Sequence, residues 1–413
     1  MAIEQSPAAG TGVPVAQQVS PVGSRLRFWG AAYALLILFT GTNLATPLYH
    51  GYAQRFGFSP LMLTLVFAAY VGALIPSLLL AGPASDALGR RTILLPALAV
   101  AALGTLAFAL ATGLAWLFAA RVLQGVAMGA ASGALTAAIT EVEPRGDRRR
   151  AALVSAMATA GGMGVGPMLG AVVAQYFPQP YVMPFVVHLV LLVPAGVFLA
   201  LLPSASTGVR WRPRRPSIPS GMGRTFAAAG SSAFLGFAVV GVFLTLVPTY
   251  AATLSGSTNL VVGSAAAAVL PVAWSVAQLI GYGKSERALE RTGLPLLAAG
   301  LALLALAGAV SSLTLLLAAT LLAGAGHGLA FLSGLTAVNA AAPADRHADV
   351  LSTYYVMGYC GTGGPVIGVG LLAGTTGTLH AVQLFAAAVA VACVVRLALR
   401  TVLDGSRNAG SVR

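Results

Sequence analysis

Twelve runs of about 20 apolar residues constrain this chain more than any other feature of its sequence. An α-helix of that length rises ~30 Å, the thickness of the hydrocarbon core of a bilayer. The runs lack the alternation of apolar and polar residues that marks the strands of a membrane β-barrel. The sequence therefore predicts an all-α polytopic membrane protein with twelve transmembrane helices, spans 1 to 12, near residues 28–49, 60–82, 93–112, 115–140, 151–176, 182–203, 225–252, 259–282, 294–312, 314–340, 350–373 and 378–399.

Basic residues are distributed unevenly between the segments that connect these spans. If the N-terminus is cytoplasmic, all but two of the 23 lysines and arginines lie in tails, loops or helix ends on the cytoplasmic side. The exceptions are Arg55, in an outer loop, and Arg121, inside span 4. This is the positive-inside pattern, so the net charge of +13 indicates orientation in a lipid bilayer rather than nucleic-acid binding. We predict a multi-pass protein of a bacterial inner membrane with both termini cytoplasmic.

Short segments of the first half return in the second half, about 200 residues later. The stretch SDALGRRT, which starts at Ser85, returns as SERALERT from Ser285, and GPMLG from Gly166 returns as GPVIG from Gly364. The sequence thus predicts two parallel six-helix repeats. Such a pair usually binds its substrate near the midplane between the repeats, and rocking of the repeats exposes the site on alternate sides.

The repeat predicts five consecutive segments in the chain. They are a disordered cytoplasmic tail at 1–24, a six-helix bundle at 25–203, a cytoplasmic linker at 204–223, a second six-helix bundle at 224–401 and a cytoplasmic tail at 402–413. The two cysteines, Cys360 and Cys393, lie in separate spans without the spacing of metal ligands. We therefore predict no metal and no cofactor, and we expect a monomer.

Scarce charges occur together in the loop between spans 2 and 3. The loop has the pattern G-x-x-x-D-x-x-G-R-R at Gly82, Asp86, Gly89, Arg90 and Arg91. With twelve spans and a parallel repeat, this pattern resembles the signature of the major facilitator superfamily. The resemblance implies that Asp86 sits against the start of span 11 and that Arg90 pairs with Glu141, so that the gating loop latches the two halves. The second copy departs from the pattern, because Leu289 and Glu290 replace Gly89 and Arg90.

Two further motifs are similar to those of superfamily transporters. RVLQG at 121–125 resembles the R-x-x-Q-G pattern of span 4. GMGVGPMLGA at 162–171 resembles the span 5 signature of drug:proton antiporters, with Gly162, Gly166, Pro167 and Gly170 in register and Ala171 in place of the last glycine. The resemblance implies the twelve-helix drug:proton antiporter branch, with Gly166 in close contact with a helix of the other half.

Polar residues inside the spans are the candidates for binding substrate or protons. All ten acidic residues lie in the tails, loops or helix ends, which favours a neutral or anionic substrate and leaves the coupling residue open. Arg121 is the only charge well inside a span and should face the bundle, either to bind substrate or to clamp span 1. His327 is either a proton carrier or a hydrogen-bonded core residue. The substrate or coupling candidates are Asn43, Arg121, Gln124, Trp274, His327, Tyr354 and Tyr359, of which the aromatic residues can equally be interface anchors.

These features favour transport over catalysis. The chain has no H-E-x-x-H, G-x-S-x-G, G-x-G-x-x-G or Walker motif, so neither an enzyme nor an ATP-driven pump is predicted. A receptor that does not transport is disfavoured by the intact gating motif. We expect a secondary active transporter that works by alternating access, a proton-coupled exporter of small amphipathic compounds of the drug efflux type. The alternative is a transporter of a specific sugar or metabolite with the same fold.

Overall fold

The computed structural model describes residues 21–203, 218–343 and 346–410. The first half forms seven helices, of which the second is short. They are α1 (Pro21–Asn43), α2 (Tyr49–Phe56), α3 (Pro60–Leu88), α4 (Arg90–Ala109), α5 (Leu114–Glu141), α6 (Arg148–Tyr176) and α7 (Met183–Ala200). A 3-10 turn at Thr46–Leu48 joins α1 to α2.

The second half forms six helices. They are α8 (Gly223–Ser255), α9 (Leu260–Gly281), α10 (Glu286–Ala309), α11 (Leu313–Ala341), α12 (His347–Thr376) and α13 (Thr378–Gly410). Side chains cap several helix starts, since Asp147 accepts hydrogen bonds from the first turn of α6 and Ser285 accepts one from the first turn of α10.

The prediction of twelve transmembrane helices is confirmed. In the described ranges, α1 and α3 to α13 are long and apolar enough to cross a membrane, and no strand occurs among these residues. Spans 1 to 12 correspond to these twelve helices in order. We call the end of the bundle that carries Arg90, Arg149 and Lys284 the basic side, and the other end the opposite side.

Several segment boundaries differ from the sequence prediction. Helix α1 begins at Pro21, so residues 21–24 are helical, whereas the rest of the predicted tail lies outside the described residues. Helix α13 continues to Gly410, past the predicted boundary at 401. Arg55 lies in the short helix α2, which ends at Phe56 and is followed by Gly57 with a φ of 65°. Most of the predicted linker, residues 204–217, lies outside the described residues.

Helix packing repeats between the halves. In the first half α1 packs on α6, α3 on α5, and α4 on α7; in the second half the equivalent pairs are α8 with α12, α9 with α11, and α10 with α13. The halves meet along two symmetrical pairs, α3 with α12 and α6 with α9. This is the arrangement expected of a parallel repeat.

Both ends of the α6–α9 pair are in contact. On the opposite side, the backbone N–H of Leu260 donates to Gln175 Oε1 at 3.0 Å, and Asn259 Nδ2 donates to the Tyr176 hydroxyl at 3.2 Å. On the basic side, the Arg149 guanidinium lies 4.9 Å from the centre of the Tyr282 ring. The α6–α9 seam between the halves is therefore held by polar contacts at each end.

Candidate functional site

Arg121 lies on α5 with only 1% of its surface exposed. Its Nη1 donates to the Thr42 carbonyl oxygen at 2.7 Å and to Gln124 Oε1 at 2.9 Å, and its Nε donates to the Tyr49 hydroxyl. Gln124, one turn further along the same face, donates from Nε2 to the Gly41 carbonyl oxygen at 3.0 Å. The two side chains thus fasten α5 to the last turn of α1.

One nitrogen of Arg121, Nη2, takes no part in these hydrogen bonds. Nη2 is buried and has no hydrogen-bond partner among the described residues, and no carboxylate in the described ranges pairs with the guanidinium. Four aromatic rings surround it, with ring centres 5.2 to 5.8 Å from Cζ: Tyr49, Phe67, Tyr70 and Phe108. Ring faces stabilise a cation without neutralising its charge. The site therefore presents a positive group with an unused donor.

The second half contributes a group of rings that we call the aromatic cluster. It consists of Phe237 from α8, Trp274 from α9, His327 and Phe331 from α11, and Tyr359 from α12. The centre of the His327 ring lies 4.7 Å from that of Trp274 and 5.2 Å from that of Phe237. Four separate helices of the second half thus converge on one point.

Polar atoms inside the aromatic cluster lack partners. Trp274 Nε1 and both ring nitrogens of His327 are buried without a hydrogen bond among the described residues. A buried unsatisfied donor or acceptor costs about 1–3 kcal/mol, so such groups usually have a role. Gly236 makes room for the imidazole, because a Cβ there would lie 3.0 Å from His327 Cε1. The cluster therefore combines apolar ring faces with three unused nitrogens.

Tyr359 links the aromatic cluster to the Arg121 side of the site. It packs against the core of the first half, which contains Tyr70 and Val71. Near it, a Cβ at Gly363 would lie 3.3 Å from Val71 Cγ1, so α3 and α12 approach closely here. The aromatic cluster therefore reaches the first half where α3 meets α12, and Tyr70 of α3 also borders the Arg121 guanidinium.

Two of the predicted site residues have other contacts. Asn43 lies buried at the end of α1, and its Nδ2 donates to the Phe39 carbonyl oxygen of the same helix at 3.0 Å. The Tyr354 hydroxyl donates to the Phe331 carbonyl oxygen at 3.0 Å and is fully buried. The structure brings Arg121 together with Gln124, and it groups Trp274, His327 and Tyr359 around Phe237, whereas Asn43 and Tyr354 support the helices around them.

The gating loop forms an ion network at the basic side. Arg90, at the start of α4, donates to Glu141 Oε1 from Nη2 at 2.9 Å and from Nε at 3.1 Å, and it also pairs with Asp86. Gly89 has a φ of 93°, which a residue with a Cβ rarely adopts, so it permits the sharp turn into α4. Residues 344–345, which precede α12, lie outside the described residues, so the contact of Asp86 with span 11 stays a prediction.

The second half has an ion network that the sequence did not predict. Glu290 of α10 is 2% exposed and pairs with Arg396 at 2.8 Å and with Arg400, both on α13. Glu286 pairs with Arg400 at 3.1 Å. The sequence does contain a sign of this network. Two acids four residues apart lie on one face of α10, and two arginines four residues apart lie on one face of α13. In the second half the charges are therefore reversed. The acid Glu290 stands on α10 where the motif has an arginine, and its basic partners stand on α13.

The comparisons with known proteins agree with this arrangement. The family model described as Major Facilitator Superfamily matches residues 31–363. The chain belongs to this superfamily. It is therefore a membrane transporter with the alternating-access fold of that family. No curated protein matches the chain in sequence.

Solved structures of superfamily transporters share the fold at low sequence identity. A mutant of the nucleoside transporter NupG is similar with a TM-score of 0.69 and 14% identity, over 90% of this chain and 99% of that one. A bacterial homologue of the human lysosomal transporter Spinster, inward-facing and unoccupied, has a TM-score of 0.68 and 16% identity, over 92% and 96%. The human organic anion transporter MFSD10 has a TM-score of 0.65 and 18% identity, over 91% and 99%.

The antiporter-like motif at residues 162–171 of α6 packs differently from the prediction. A Cβ at Gly166 would lie 2.5 Å from the Thr40 carbonyl oxygen, so Gly166 contacts α1 of its own half. Gly162 also faces α1, and Gly170 faces the turn that follows α1, at Leu44 and Pro47. The predicted contact of Gly166 with the other half is wrong, because successive glycines four residues apart lie on the α1 face of α6. Gly164 instead faces the other half, since a Cβ there would lie 3.8 Å from Pro271 Cγ of α9.

Proposed function

We propose that this transporter exports small amphipathic compounds that carry an anionic or hydrogen-bond-accepting group, in exchange for protons. The observation that carries the proposal is Arg121, a buried cation with an unused Nη2 and no acidic partner in the described part of the chain. A site of this kind attracts a carboxylate, a sulfonate or a carbonyl oxygen, and it repels a simple cation.

The aromatic cluster supports the amphipathic part of the proposal. Rings of Phe237, Trp274 and Tyr359 offer apolar faces to a planar or hydrocarbon group of the substrate. The unused nitrogens of Trp274 and His327 offer hydrogen bonds beside those faces. A compound with one apolar ring system and one acceptor group would thus use both halves of the site.

The proposal also covers the orientation of the chain in the membrane and the residue that carries the proton. We place the basic side in the cytoplasm, because arginine and lysine favour that side of a membrane. His327 is our candidate proton carrier, since a histidine titrates nearest physiological pH among the residues of the aromatic cluster and neither of its ring nitrogens has a partner among the described residues. The resemblance of 162–171 to antiporter sequences supports export. We propose a monomer in a bacterial inner membrane.

A second candidate function is transport of one specific metabolite. Among the structures with the same fold, NupG is a nucleoside transporter and MFSD10 an organic anion transporter. A planar, hydrogen-bonding ring would fit against the aromatic cluster, and an organic anion would fit beside Arg121. Either substrate uses the same two groups of residues.

The experiment that tests the proposal is flux in proteoliposomes under an imposed pH gradient. Two fluorescent amphipaths of similar size are compared, one with a sulfonate and one with a quaternary ammonium group. We expect flux of the sulfonate, and its collapse when the pH gradient is removed. Flux of the ammonium compound alone would contradict the role of Arg121, and flux of neither amphipath would favour the second candidate.

A further inference from the structure

An apolar groove runs along the outer surface of the α6–α9 seam. It encloses about 510 Å³ and is lined by Met168 of α6, by one face of α9 and by Leu321 of α11. On α9 the lining includes Val272, Val276 and Ile280, whose surfaces are 55%, 48% and 65% exposed. We expect the hydrocarbon of the bilayer to face these side chains, because they are apolar and exposed on helices long enough to span a membrane.

The groove is long enough to accept an acyl chain. Its lining on α9 extends from Ala265 to Ile280, which is ~22 Å at ~1.5 Å per residue. One leaflet contributes only ~15 Å of the ~30 Å hydrocarbon core. The groove therefore continues from the middle of the membrane to its basic side without a polar interruption.

Cationic side chains lie where the groove ends. Tyr282 follows Ile280 by two residues, and the Arg149 guanidinium lies 4.9 Å from the centre of its ring. Lys284 is exposed on the same turn. Asp147 accepts from the backbone N–H groups of Arg149 and Arg150, and in the described ranges no carboxylate pairs with the Arg149 side chain. The end of the groove thus has positive charge available to an anion.

We propose that an anionic phospholipid binds at this place, with its phosphate at Arg149 and Lys284 and one acyl chain in the groove. Lipid tails are as apolar as the lining, so burial of the chain gives little affinity by itself. The headgroup supplies the preference, since each basic residue near a membrane surface attracts an anionic lipid. The chain would contact Met168 of one half and Val272 of the other, so the lipid bridges the two halves.

The test counts lipids bound to the purified full chain. Protein in detergent is equilibrated with an equimolar mixture of phosphatidylglycerol and phosphatidylcholine, and retained lipids are identified by native mass spectrometry. We expect the wild type to prefer phosphatidylglycerol, and Arg149→Gln to retain about fivefold less of it. Arg55→Gln is the matched control, because Arg55 is also exposed and lies 5.3 Å from a tyrosine ring, that of Tyr181, on the opposite side. No preference for phosphatidylglycerol, or equal retention by Arg149→Gln and wild type, would overturn the proposal.

A second arm tests the groove itself. Val272→Trp fills the groove and should reduce the retained phosphatidylglycerol, whereas Val197→Trp should not, since Val197 is 56% exposed on α7. Full retention by Val272→Trp would show that the acyl chain lies elsewhere. If the wild type is a dimer and Val272→Trp converts it to a monomer, the groove binds a second copy of the chain. That result would overturn the proposal of a lipid site.

Discussion

The Thr42 carbonyl oxygen accepts a hydrogen bond from Arg121 Nη1 at 2.7 Å, which joins the end of α1 to the middle of α5. Helix α1 ends one residue later, at Asn43, so its last carbonyl groups have no partner in the helix itself. Arg121 satisfies one of them and Gln124 satisfies the Gly41 carbonyl oxygen. The same guanidinium therefore closes the helix end and leaves Nη2 without a hydrogen-bond partner among the described residues.

Gln124→Leu should destabilise the first half by about 1 kcal/mol, because it removes the hydrogen bonds to Gly41 and Arg121. The measurement is thermal unfolding in detergent. Gln278→Leu is the control, since Gln278 is half-buried on α9 and makes no side-chain hydrogen bond in the described ranges. Equal loss of stability in both variants would contradict the clamp.

Gly166→Ala should destabilise the protein by about 1–3 kcal/mol through overpacking against α1. Its Cβ would lie 2.5 Å from a backbone oxygen that cannot move aside without shifting the helix. At Gly161 the nearest atom is 3.5 Å away, Leu36 Cδ1, so Gly161→Ala should be nearly neutral. Unfolding curves of the two variants decide the point, and superimposable curves would indicate that α1 and α6 have room to separate.

Hydropathy and the repeat were sufficient to predict the twelve helices, because lipid dictates both their length and their composition. The pairing of Arg90 with Glu141 was implied by a motif and is present. The face of α6 that meets α1 was not predictable in this way. Glycines at 162, 164, 166 and 170 allow close approach on two faces, and only the packed structure shows which helix lies against each.

Glu290→Gln should destabilise the second half by about 3–5 kcal/mol, since it leaves Arg396 and Arg400 without their buried partner. Both arginine side chains are about 15% exposed, which places the effect at the lower end of that range. Glu286→Gln is the control, because the Glu286 side chain is 42% exposed and should cost less than about 1 kcal/mol. Thermal unfolding of both variants tests this, and a larger loss in Glu286→Gln would contradict it.

Glu143 gives a pH dependence on the basic side. Burial raises the pKa of its carboxyl, but the N–H groups of Asp147 and Arg145 and the Arg150 guanidinium donate to it and lower that pKa overall. A lowered pKa contributes stability above the unfolded value, ~4.3, and that contribution is lost as the pH falls through the folded value. The difference in stability between wild type and Glu143→Gln should therefore be the same at pH 7 and pH 5.5. Below about pH 4.3 the variant should lose less stability than the wild type. Parallel acid melting curves for the two proteins would refute the assignment.

The candidate site was predicted only in part, for physical reasons. Arg121 stood out because a charge inside a span must face protein or water. The aromatic cluster could not be assembled from the sequence, because Phe237, Trp274 and Tyr359 come from three helices whose rotation depends on packing. The pairing of Glu290 with Arg396 likewise needed knowledge that α10 packs on α13.

Flux per reconstituted molecule in Arg121 variants tests the central claim most directly. The probe is the sulfonate amphipath under a pH gradient, with protein abundance measured in the same vesicles. Arg121→Lys keeps the charge but loses the planar set of donors, so it should raise the KM about tenfold. Arg121→Ala should abolish transport while the protein still elutes as a folded species. Wild-type flux per molecule in Arg121→Ala would remove Arg121 from the substrate site and contradict the account.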